Sequence, residues 1–363
     1  MKFSFRRLVF FITLFSSFAN AELNEQQLRH EIKMATINAF YKQDFNFLES
    51  KVEAYRNNQE RTLSGVWKLT IFYGAFGEVG GYKDEESWRY LYSVSDKWIQ
   101  QYPNSPTPYI VKSLILSNHA WKYRGNDYVK DVKDEDWKPF RSKISKGIEL
   151  LLSVKEIGSS DPHWYTALAD LASGSRTAKI KSDEILKEGI QKHPYYYQLY
   201  FAVAKHKEPK WGGSWIEHEK FIKEAIGNTG DLEESSMFAR IYWTVISSYG
   251  HQKARILIYD SIINWDSMAN GMEDVIKRYP DNWNLNHFAI FSCVAFDPFL
   301  TKKYIDMLKN KPDLKIWGSQ KHYNRCENLS IQLVQKYRSS PESCPSELKH
   351  FRRMCNRNLK TTE

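Results

Sequence analysis

The chain has 363 residues, of which 26% are charged and 15% are aromatic, and its formal net charge is +9. This length suits one or two ordinary domains or one continuous array of repeats. Beyond the N-terminus, no segment has the ~20 apolar residues that a transmembrane helix needs, so the composition excludes a membrane-spanning body.

Residues 1–21 are predicted to be a cleavable secretory signal peptide. Three cations open the segment, and an apolar run follows at residues 8–18. Ala19-Asn20-Ala21 has the small-x-small pattern of a cleavage site, so we predict cleavage after Ala21. Glu22 rather than Cys follows, so the mature chain lacks the acylated residue of a bacterial lipoprotein. We expect a periplasmic or secreted protein, with an uncleaved anchor as the alternative.

Helical periodicity dominates the mature chain, and alternation with a period of two residues is almost absent. The first helices are predicted at residues 25–40 and 45–55, and Gly80-Gly81 breaks the segment that follows. Asp84 is the predicted N-cap of a helix at 85–101, and Gly125 the predicted C-cap of a helix at 106–121. Ser214 and Glu217 form a predicted capping box for a helix running to 226. Further helices are predicted at 146–154, 182–191 and 266–278.

A proline next to aromatic residues separates successive helices at four places. These turns are Tyr102-Pro103, Asp161-Pro162-His163-Trp164-Tyr165, His193-Pro194-Tyr195-Tyr196-Tyr197 and Tyr279-Pro280-Asp281-Asn282-Trp283. Pro162 and Pro194 are 32 residues apart, close to the ~34-residue period of tetratricopeptide (TPR) repeats. Such units must stack to bury their apolar faces. The sequence therefore predicts an all-α fold of TPR-like stacked helix pairs, an α-superhelix over residues 22–338, followed by a basic tail at 339–363.

The positive charge is concentrated near the C-terminus, where residues 301–360 hold 14 Lys and Arg against 5 Asp and Glu. A solvated helical face is the favoured interpretation because no block of five like charges occurs. Docking on an acidic protein or an anionic lipid surface is the alternative. Export makes nucleic acid the weakest candidate, and we expect no nucleic-acid partner.

Aromatic residues supply the candidate binding residues, since the chain has 12 Trp and 22 Tyr. Trp211 and Trp215 flank a pair of glycines and are candidates for a platform that stacks on sugars or aromatic side chains. Trp121 with Arg124 is a second candidate pair. Packing between stacked helices is the favoured role for most of these aromatics, and Arg124 also suits the C-terminus of a helix.

Signatures of catalysis and of nucleotide or metal binding are missing from the sequence. It has no Gly-x-Ser-x-Gly, His-Glu-x-x-His, Walker or Gly-x-Gly-x-x-Gly pattern. The consecutive residues Glu217-His218-Glu219 point about 100° apart on a helix, so they do not converge on a metal ion. His163 and His193 are interpreted as turn or packing residues. We therefore expect no catalytic residue, no metal and no cofactor.

Five motifs in order resemble a bacterial family known as domain of unknown function 4034. They are Ser64-Gly65-Val66-Trp67-Lys68-Leu69, Ala120-Trp121-Lys122-Tyr123-Arg124-Gly125, Pro209-Lys210-Trp211-Gly212-Gly213-Ser214, Ala239-Arg240-Ile241-Tyr242-Trp243 and Tyr279-Pro280-Asp281-Asn282-Trp283-Asn284. The resemblance covers residues 60–330 or so. It implies a TPR-like, exported protein and carries no established activity.

All four cysteines lie in the last 71 residues, and an even number in an exported chain indicates two disulfides. The family resemblance favours Cys293 with Cys326, which leaves Cys344 with Cys355. An unbroken helix from Pro345 would hold Cys344 and Cys355 about 15 Å apart, too far for a bridge, so that pairing requires the helix to end early or fold back. The competing pattern joins Cys326 to Cys355 and Cys293 to Cys344.

Two functions remain open from the sequence. The leading one is a periplasmic TPR-like scaffold that binds a protein or an extended peptide. The alternative is an envelope enzyme or glycan-binding protein on an α-helical superhelix, with a cleft lined by Trp211, Trp215 and a carboxylate such as Glu217. An exposed, sugar-sized groove with converging carboxylates at Trp211 would favour the alternative, and a buried Trp211 with a wide empty groove would favour the scaffold.

Overall fold

The structure is a computed structural model that describes residues 23–79, 84–125, 131–173, 176–345 and 349–359. The predicted signal peptide at 1–21 and the predicted break at Gly80-Gly81 lie outside these ranges. Within them the chain is almost entirely helical, and its only β-type pairing is an isolated bridge between Arg61 and Trp67. The predicted all-α class is confirmed.

Nineteen α-helices lie within the described ranges. They are α1 (Glu25–Lys42), α2 (Phe45–Asn57), α3 (Lys68–Glu78), α4 (Glu85–Gln101), α5 (Thr107–Arg124), α6 (Asp134–Ser153), α7 (Lys155–Gly158), α8 (Pro162–Ser173), α9 (Arg176–Lys192), α10 (Tyr197–Lys207), α11 (Trp215–Glu233), α12 (Ser236–Tyr249), α13 (His251–Tyr259), α14 (Trp265–Arg278), α15 (Asn282–Val294), α16 (Pro298–Met307), α17 (Leu314–Trp317), α18 (Gln320–Ser339) and α19 (Lys349–Leu359). Short 3₁₀ helices occupy Pro209–Trp211 and Pro341–Ser343.

The helix caps follow the predicted local signals. The Asp84 carboxylate accepts a hydrogen bond from the Ser87 amide at 2.7 Å, and the Ser214 hydroxyl accepts one from the Glu217 amide at 3.2 Å. The Glu217 carboxylate accepts from the Ser214 hydroxyl at 2.9 Å, whereas a capping box would use the Ser214 amide. The predicted helix at 182–191 is part of the longer α9, and the one predicted at 146–154 coincides with the last part of α6, which ends at Ser153.

The proline-aromatic turns separate helices as predicted. Pro103 lies between α4 and α5, Pro162 begins α8, Pro194 lies between α9 and α10, and Pro280 lies between α14 and α15. The turn aromatics enter the core, where Trp164 and Tyr196 are fully buried. The large rings therefore fill the spaces between stacked helices, as expected for wide helix-to-helix gaps.

Helices α1, α3, α5, α8, α10, α12 and α15 form an inner layer that returns on itself; we call it the helix ring. Neighbouring members pack together from α1 through α12. The step from α12 to α15 is made by Trp243, whose indole meets Phe288 and Phe291 edge-on with centroids 5.4 and 5.6 Å away.

Contacts between the two ends of the chain close the helix ring. The Gln26 amide donates to the Asp313 carboxylate at 2.8 Å, and the Arg29 guanidinium lies 4.7 Å from the centre of the Trp283 indole. The Asn284 amide donates to the Ser64 carbonyl at 3.2 Å. An open solenoid would leave these ends apart, so closure is a feature that the repeat pattern alone did not predict.

The structure pairs Cys293 with Cys326 and Cys344 with Cys355, at Cα–Cα distances of 5.8 and 6.1 Å. The second bridge forms because Cys344 follows a 3₁₀ turn with extended backbone, while Cys355 lies inside the separate helix α19. The basic tail therefore folds back onto the body. There Cys344 and Cys355 join Phe299, Val334, Tyr337 and Met354 in a small apolar cluster.

Candidate functional site

A cavity of about 750 Å³ lies between the helices of the ring. Two helices supply its longest walls through residues spaced i, i+3, i+4 and i+7, which share one helical face. These residues are Gln198, Phe201, Ala202 and Lys205 on α10, and Arg240, Trp243, Thr244 and Ser247 on α12. The remaining lining comes from α1, α3, α8, α15, the loop before α3, and Glu208 with the 3₁₀ turn that follows it at Pro209–Trp211.

One end of this cavity, which we call the arginine end, is formed by Arg29, Ser64, Arg240, Trp283 and Asn284. Arg29 donates to the Ser64 hydroxyl at 2.9 Å, and Asn284 donates to the Ser64 carbonyl. Ser64 thus joins the N-terminal helix to α15 at this end.

Gly65 allows the loop to approach α12 and the proline-aromatic turn after α14 closely. Its φ is +86°, and a Cβ added there would lie 2.6 Å from the Tyr279 ring and 2.8 Å from Nη2 of Arg240. A residue with a side chain would therefore be strained by the backbone conformation and would collide with both neighbours. Glycine at this position is what lets the loop wall off the arginine end.

A buried carboxylate holds the loop in place. Glu25 is 3% exposed and accepts hydrogen bonds from the hydroxyls of Thr62 and Ser64, both at 2.7 Å, and from the Ser64 amide at 3.0 Å. Arg29 pairs with the same carboxylate at 2.5 Å. Burial raises the pKa of Glu25, but the Arg29 charge and these hydrogen bonds outweigh it, so the net pKa lies below the usual value.

The other end, which we call the carboxylate end, is formed by Asp170, Lys205, Glu208, Lys210 and Trp211. The Lys205 and Lys210 ammonium groups lie 5.0 and 5.7 Å from the centre of the Trp211 indole. Burial raises the pKa of Glu208, which is 4% exposed, and burial also raises the pKa of Asp170. Lys205 opposes both shifts by favouring the ionised carboxylates.

The two ends are separated by the length of α12. Arg240 lies in the second turn of this helix, while Glu208 interacts with Tyr249 at its last residue. The nine steps from residue 240 to residue 249 span about 13.5 Å at a rise of ~1.5 Å per residue. The partly buried Trp243, Phe201 and Thr244 line the stretch between the ends. The cavity thus has a cationic end, an apolar middle and a mixed-charge end.

The structure brings only one of the predicted binding residues into this cavity. Trp211 is partly buried and lines it, whereas Trp215 packs against His218 and Tyr249. Trp121 packs edge-on against Phe140, with the Arg124 guanidinium 5.2 Å from its indole centre.

Glu217 belongs to a different groove, of about 590 Å³, between α9, α10 and α11. His218, the next residue, is fully buried and directed toward Trp215 and Tyr242, while Glu217 is exposed. Of the residues considered for the sequence-based cleft, only Trp211 therefore meets the cavity, and the carboxylates there are Asp170 and Glu208.

His163 and His193, in the proline-aromatic turns, make ring contacts with tyrosines. His163 stacks on Tyr73 with centroids 4.3 Å apart, and its Nδ1 lies 2.7 Å from the Tyr196 hydroxyl. Burial lowers the pKa of His163 to about 4, so the imidazole is neutral near pH 7. Beside it, the Asp161 carboxylate accepts hydrogen bonds from the Arg56 guanidinium at 2.9 Å and from the Tyr73 hydroxyl at 2.7 Å. This buried network joins α2, α3 and the start of α8.

No family model, no curated protein and no solved structure matches the chain. Within the part of the chain that the structure describes, no helix is both long and apolar enough to cross a bilayer. In the same part of the chain, no three His, Cys, Asp or Glu side chains are grouped as ligands for a metal ion.

Proposed function

We propose that this chain is an exported, TPR-like binding protein whose cavity holds a short segment of a protein or extended peptide partner. The observation that carries the proposal is the cavity between α10 and α12. Its volume of about 750 Å³ lies within the ~300–1,000 Å³ typical of ligand sites. Aromatic walls suit apolar side chains, and the charged ends suit the polar groups of a peptide.

Closure of the helix ring limits the size of the partner segment. A TPR array usually offers an extended concave surface, but here Gln26, Ser64 and Arg29 meet residues of the opposite end of the chain. A folded domain does not fit within about 750 Å³. The occupant we propose is therefore a peptide of a few residues or the end of a longer chain.

The signal-like residues 1–21 and the two disulfides support export to the periplasm or the exterior. Structural disulfides persist in oxidising compartments and are rare in the cytosol. The similarity to the domain of unknown function 4034 family adds the same expectation. A partner in the cell envelope follows from this location.

A second candidate is a glycan-binding protein or an envelope enzyme acting on glycans. The carboxylate end favours it, because the Trp211 indole and the Asp170 and Glu208 carboxylates line the same cavity. A carboxyl group whose pKa is raised by burial resembles the general acid of a glycosidase. Both carboxyls have raised pKa values, however, so neither stands out as the ionised partner that such a reaction also needs.

Native mass spectrometry of the mature chain, residues 22–363, tests the two candidates. One sample receives a synthetic pool of N-acetylated tetrapeptides, and the other a pool of cell-wall and plant oligosaccharides. We expect retained peptides in the first sample and none in the second. Retention of oligosaccharides alone would reject the peptide proposal in favour of the second candidate.

A variant that fills the cavity with a large side chain tests whether the peptide binds there. Thr244→Trp places a bulky side chain on the cavity face of α12, so peptide retention should be lost. Ile216→Trp adds the same side chain at a position on α11 that is 84% exposed, and retention should be unchanged. Equal retention by both variants would place the binding site elsewhere.

A further inference from the structure

Three arginines surround a single buried carboxylate next to the cavity. Glu233 is 3% exposed, and Arg240 and Arg278 approach it at 3.8 and 4.0 Å. Arg61 lies 4.6 Å from the centre of the Tyr197 ring, whose hydroxyl donates to Glu233. Arg240 is buried and Arg61 is partly buried, whereas Arg278 is exposed, so the Glu233 carboxylate faces two guanidinium groups that have little access to water. Such an imbalance is costly unless another anion joins the group.

Arg240 is the member of this group that reaches the cavity. It lines the arginine end and is only 5% exposed. Its Nε and Nη2 atoms have no hydrogen-bond partner among the described residues, although the guanidinium lies over the Tyr197 and Tyr279 rings at 4.9 and 5.4 Å. Native proteins rarely leave buried donors unpaired, and an arginine fork matches a carboxylate closely.

The carboxylates of the protein do not supply a hydrogen-bond acceptor for Nε and Nη2 of Arg240. Glu233 already accepts from the hydroxyls of Tyr197 and Ser236, and its nearest approach to Nε of Arg240 is too long for a hydrogen bond. Glu25 is engaged by Arg29, Thr62 and Ser64. A molecule that enters the cavity can supply the acceptor that these carboxylates do not provide.

Asn284 adds an unpaired acceptor at the same end. Its Nδ2 donates to the carbonyls of Ser64 and Tyr279, at 3.2 and 2.9 Å, which fixes the orientation of the amide. Its Oδ1 is buried and has no hydrogen-bond partner among the described residues. A ligand that satisfies both groups carries an anion for Arg240 and an N–H donor for Asn284.

We infer that the arginine end binds the C-terminal carboxylate of a peptide. The carboxylate accepts from Arg240, and the N–H of the terminal residue donates to Oδ1 of Asn284. The terminal side chain lies against the Trp243 and Trp283 indoles, which line the adjoining wall. This inference rests on the proposed function and specifies the part of the peptide that the cavity selects.

Free-acid and amidated peptides distinguish this inference from the proposed function. The same pool of N-acetylated tetrapeptides is prepared with a C-terminal carboxylate and with a C-terminal carboxamide, and dissociation constants of the retained sequences are measured by calorimetry. We expect the free acids to bind at least tenfold more tightly, because a hydrogen bond to a charged group is lost in the amides. Equal binding of acids and amides would overturn the inference while leaving the proposed function intact.

Arginine variants locate the effect. Arg240→Met should remove the preference for free acids. Arg278→Met is the matched control, since Arg278 approaches the same Glu233 but does not line the cavity, and it should keep the preference. If a folded Arg240→Met protein still prefers free acids over amides, the assignment of the carboxylate to Arg240 is overturned. If that variant does not fold, the ratio of acid to amide dissociation constants of the unmodified protein still tests whether the peptide carboxylate is bound. Absence of binding by either peptide pool would refute the proposed function itself, and preferential binding of uronate-containing oligosaccharides would replace the peptide carboxylate by a sugar carboxylate.

Discussion

Removal of the Glu25 carboxylate should loosen the loop that walls off the arginine end. In the native state this carboxylate accepts from two hydroxyls and one amide of the loop and pairs with Arg29. Glu25→Gln keeps the shape of the side chain but removes its charge and turns one acceptor into a donor that faces the Ser64 amide. Glu25→Ala removes all of these interactions.

The size of the effect follows from the groups left unpaired. A buried polar group that loses its partner costs about 1–3 kcal/mol, and breaking a buried ion pair costs about 3–5 kcal/mol. Arg29 is partly exposed and can turn toward the cavity, so the loss of its ion pair should cost an amount at the lower end of the ion-pair range. We expect losses in the free energy of unfolding of about 2–3 kcal/mol for Glu25→Gln and about 3–5 kcal/mol for Glu25→Ala.

Urea unfolding at pH 7 measures these losses, with Glu86→Gln as a control at an exposed glutamate in the first turn of α4. The pKa of Glu25 is lowered in the native state, so its contribution is present above the unfolded pKa of about 4.3 and declines as the pH falls through the native value. The difference between the native protein and Glu25→Gln should therefore shrink in acid. Losses below about 0.5 kcal/mol for both Glu25 variants, the usual range of neutral surface changes, would refute the view that this carboxylate holds the loop.

Three further outcomes follow from the structure. His218 is fully buried, and neither ring nitrogen has a hydrogen-bond partner among the described residues. Burial lowers its pKa to about 4, so the free energy of unfolding should fall as the pH drops from about 6.5 toward 4. In urea titrations, His218→Leu should be nearly neutral at pH 7 and should stabilise by about 2 kcal/mol at pH 5, and an equal effect at both pH values would show that the imidazole is solvated. Ser214→Ala should lower the free energy of unfolding by about 1 kcal/mol through loss of the N-cap, and an unchanged midpoint would mean that the helix begins elsewhere. Opening the Cys293–Cys326 bridge with Cys326→Ser should lower the free energy of unfolding by about 4 kcal/mol, and opening the other bridge with Cys355→Ser should lower it by about 3 kcal/mol, because the closed loops span 33 and 11 residues. Non-reducing peptide mapping checks both pairs first, and a Cys326–Cys355 peptide would contradict them.

The local features of the fold could be predicted from the sequence because they depend on neighbouring residues. Asp84 and Ser214 cap their helices through amides three residues ahead, and Pro162 begins a helix where its missing N–H costs nothing. The Cys293–Cys326 pair came from the family resemblance, and the other pair followed as the remainder. Spacing alone left the alternatives open.

Closure of the helix ring could not be predicted, because it joins residues as distant as Gln26 and Asp313, 287 positions apart. Each stacked pair adds a small rotation, and the sum over the array decides whether the ends meet. Periodicity records which face of a helix is apolar but not this sum. The position of Trp215 was missed for a related reason, since the start of α11 turns its indole toward His218.

The cavity face of α12 did leave a signal in the sequence. Arg240 is the only charged residue among residues 236–249, and Trp243, Thr244 and Ser247 follow it at helical spacing. A single arginine on a helix that is otherwise apolar around most of its circumference indicates a buried side chain that makes a specific polar interaction. The sequence did not reveal which residues face it, because Asn284 and Ser64 approach through tertiary contacts.

A crystal structure of the mature chain with a retained free-acid peptide would show where and in which direction the peptide binds. We expect the peptide to lie between α10 and α12, with its carboxylate within hydrogen-bond distance of Arg240 and its chain directed toward Trp211. We also expect Asn284 still to contact the Ser64 carbonyl, so that the helix ring stays closed. A peptide bound on the outer surface, or an open ring with an empty cavity, would contradict these expectations.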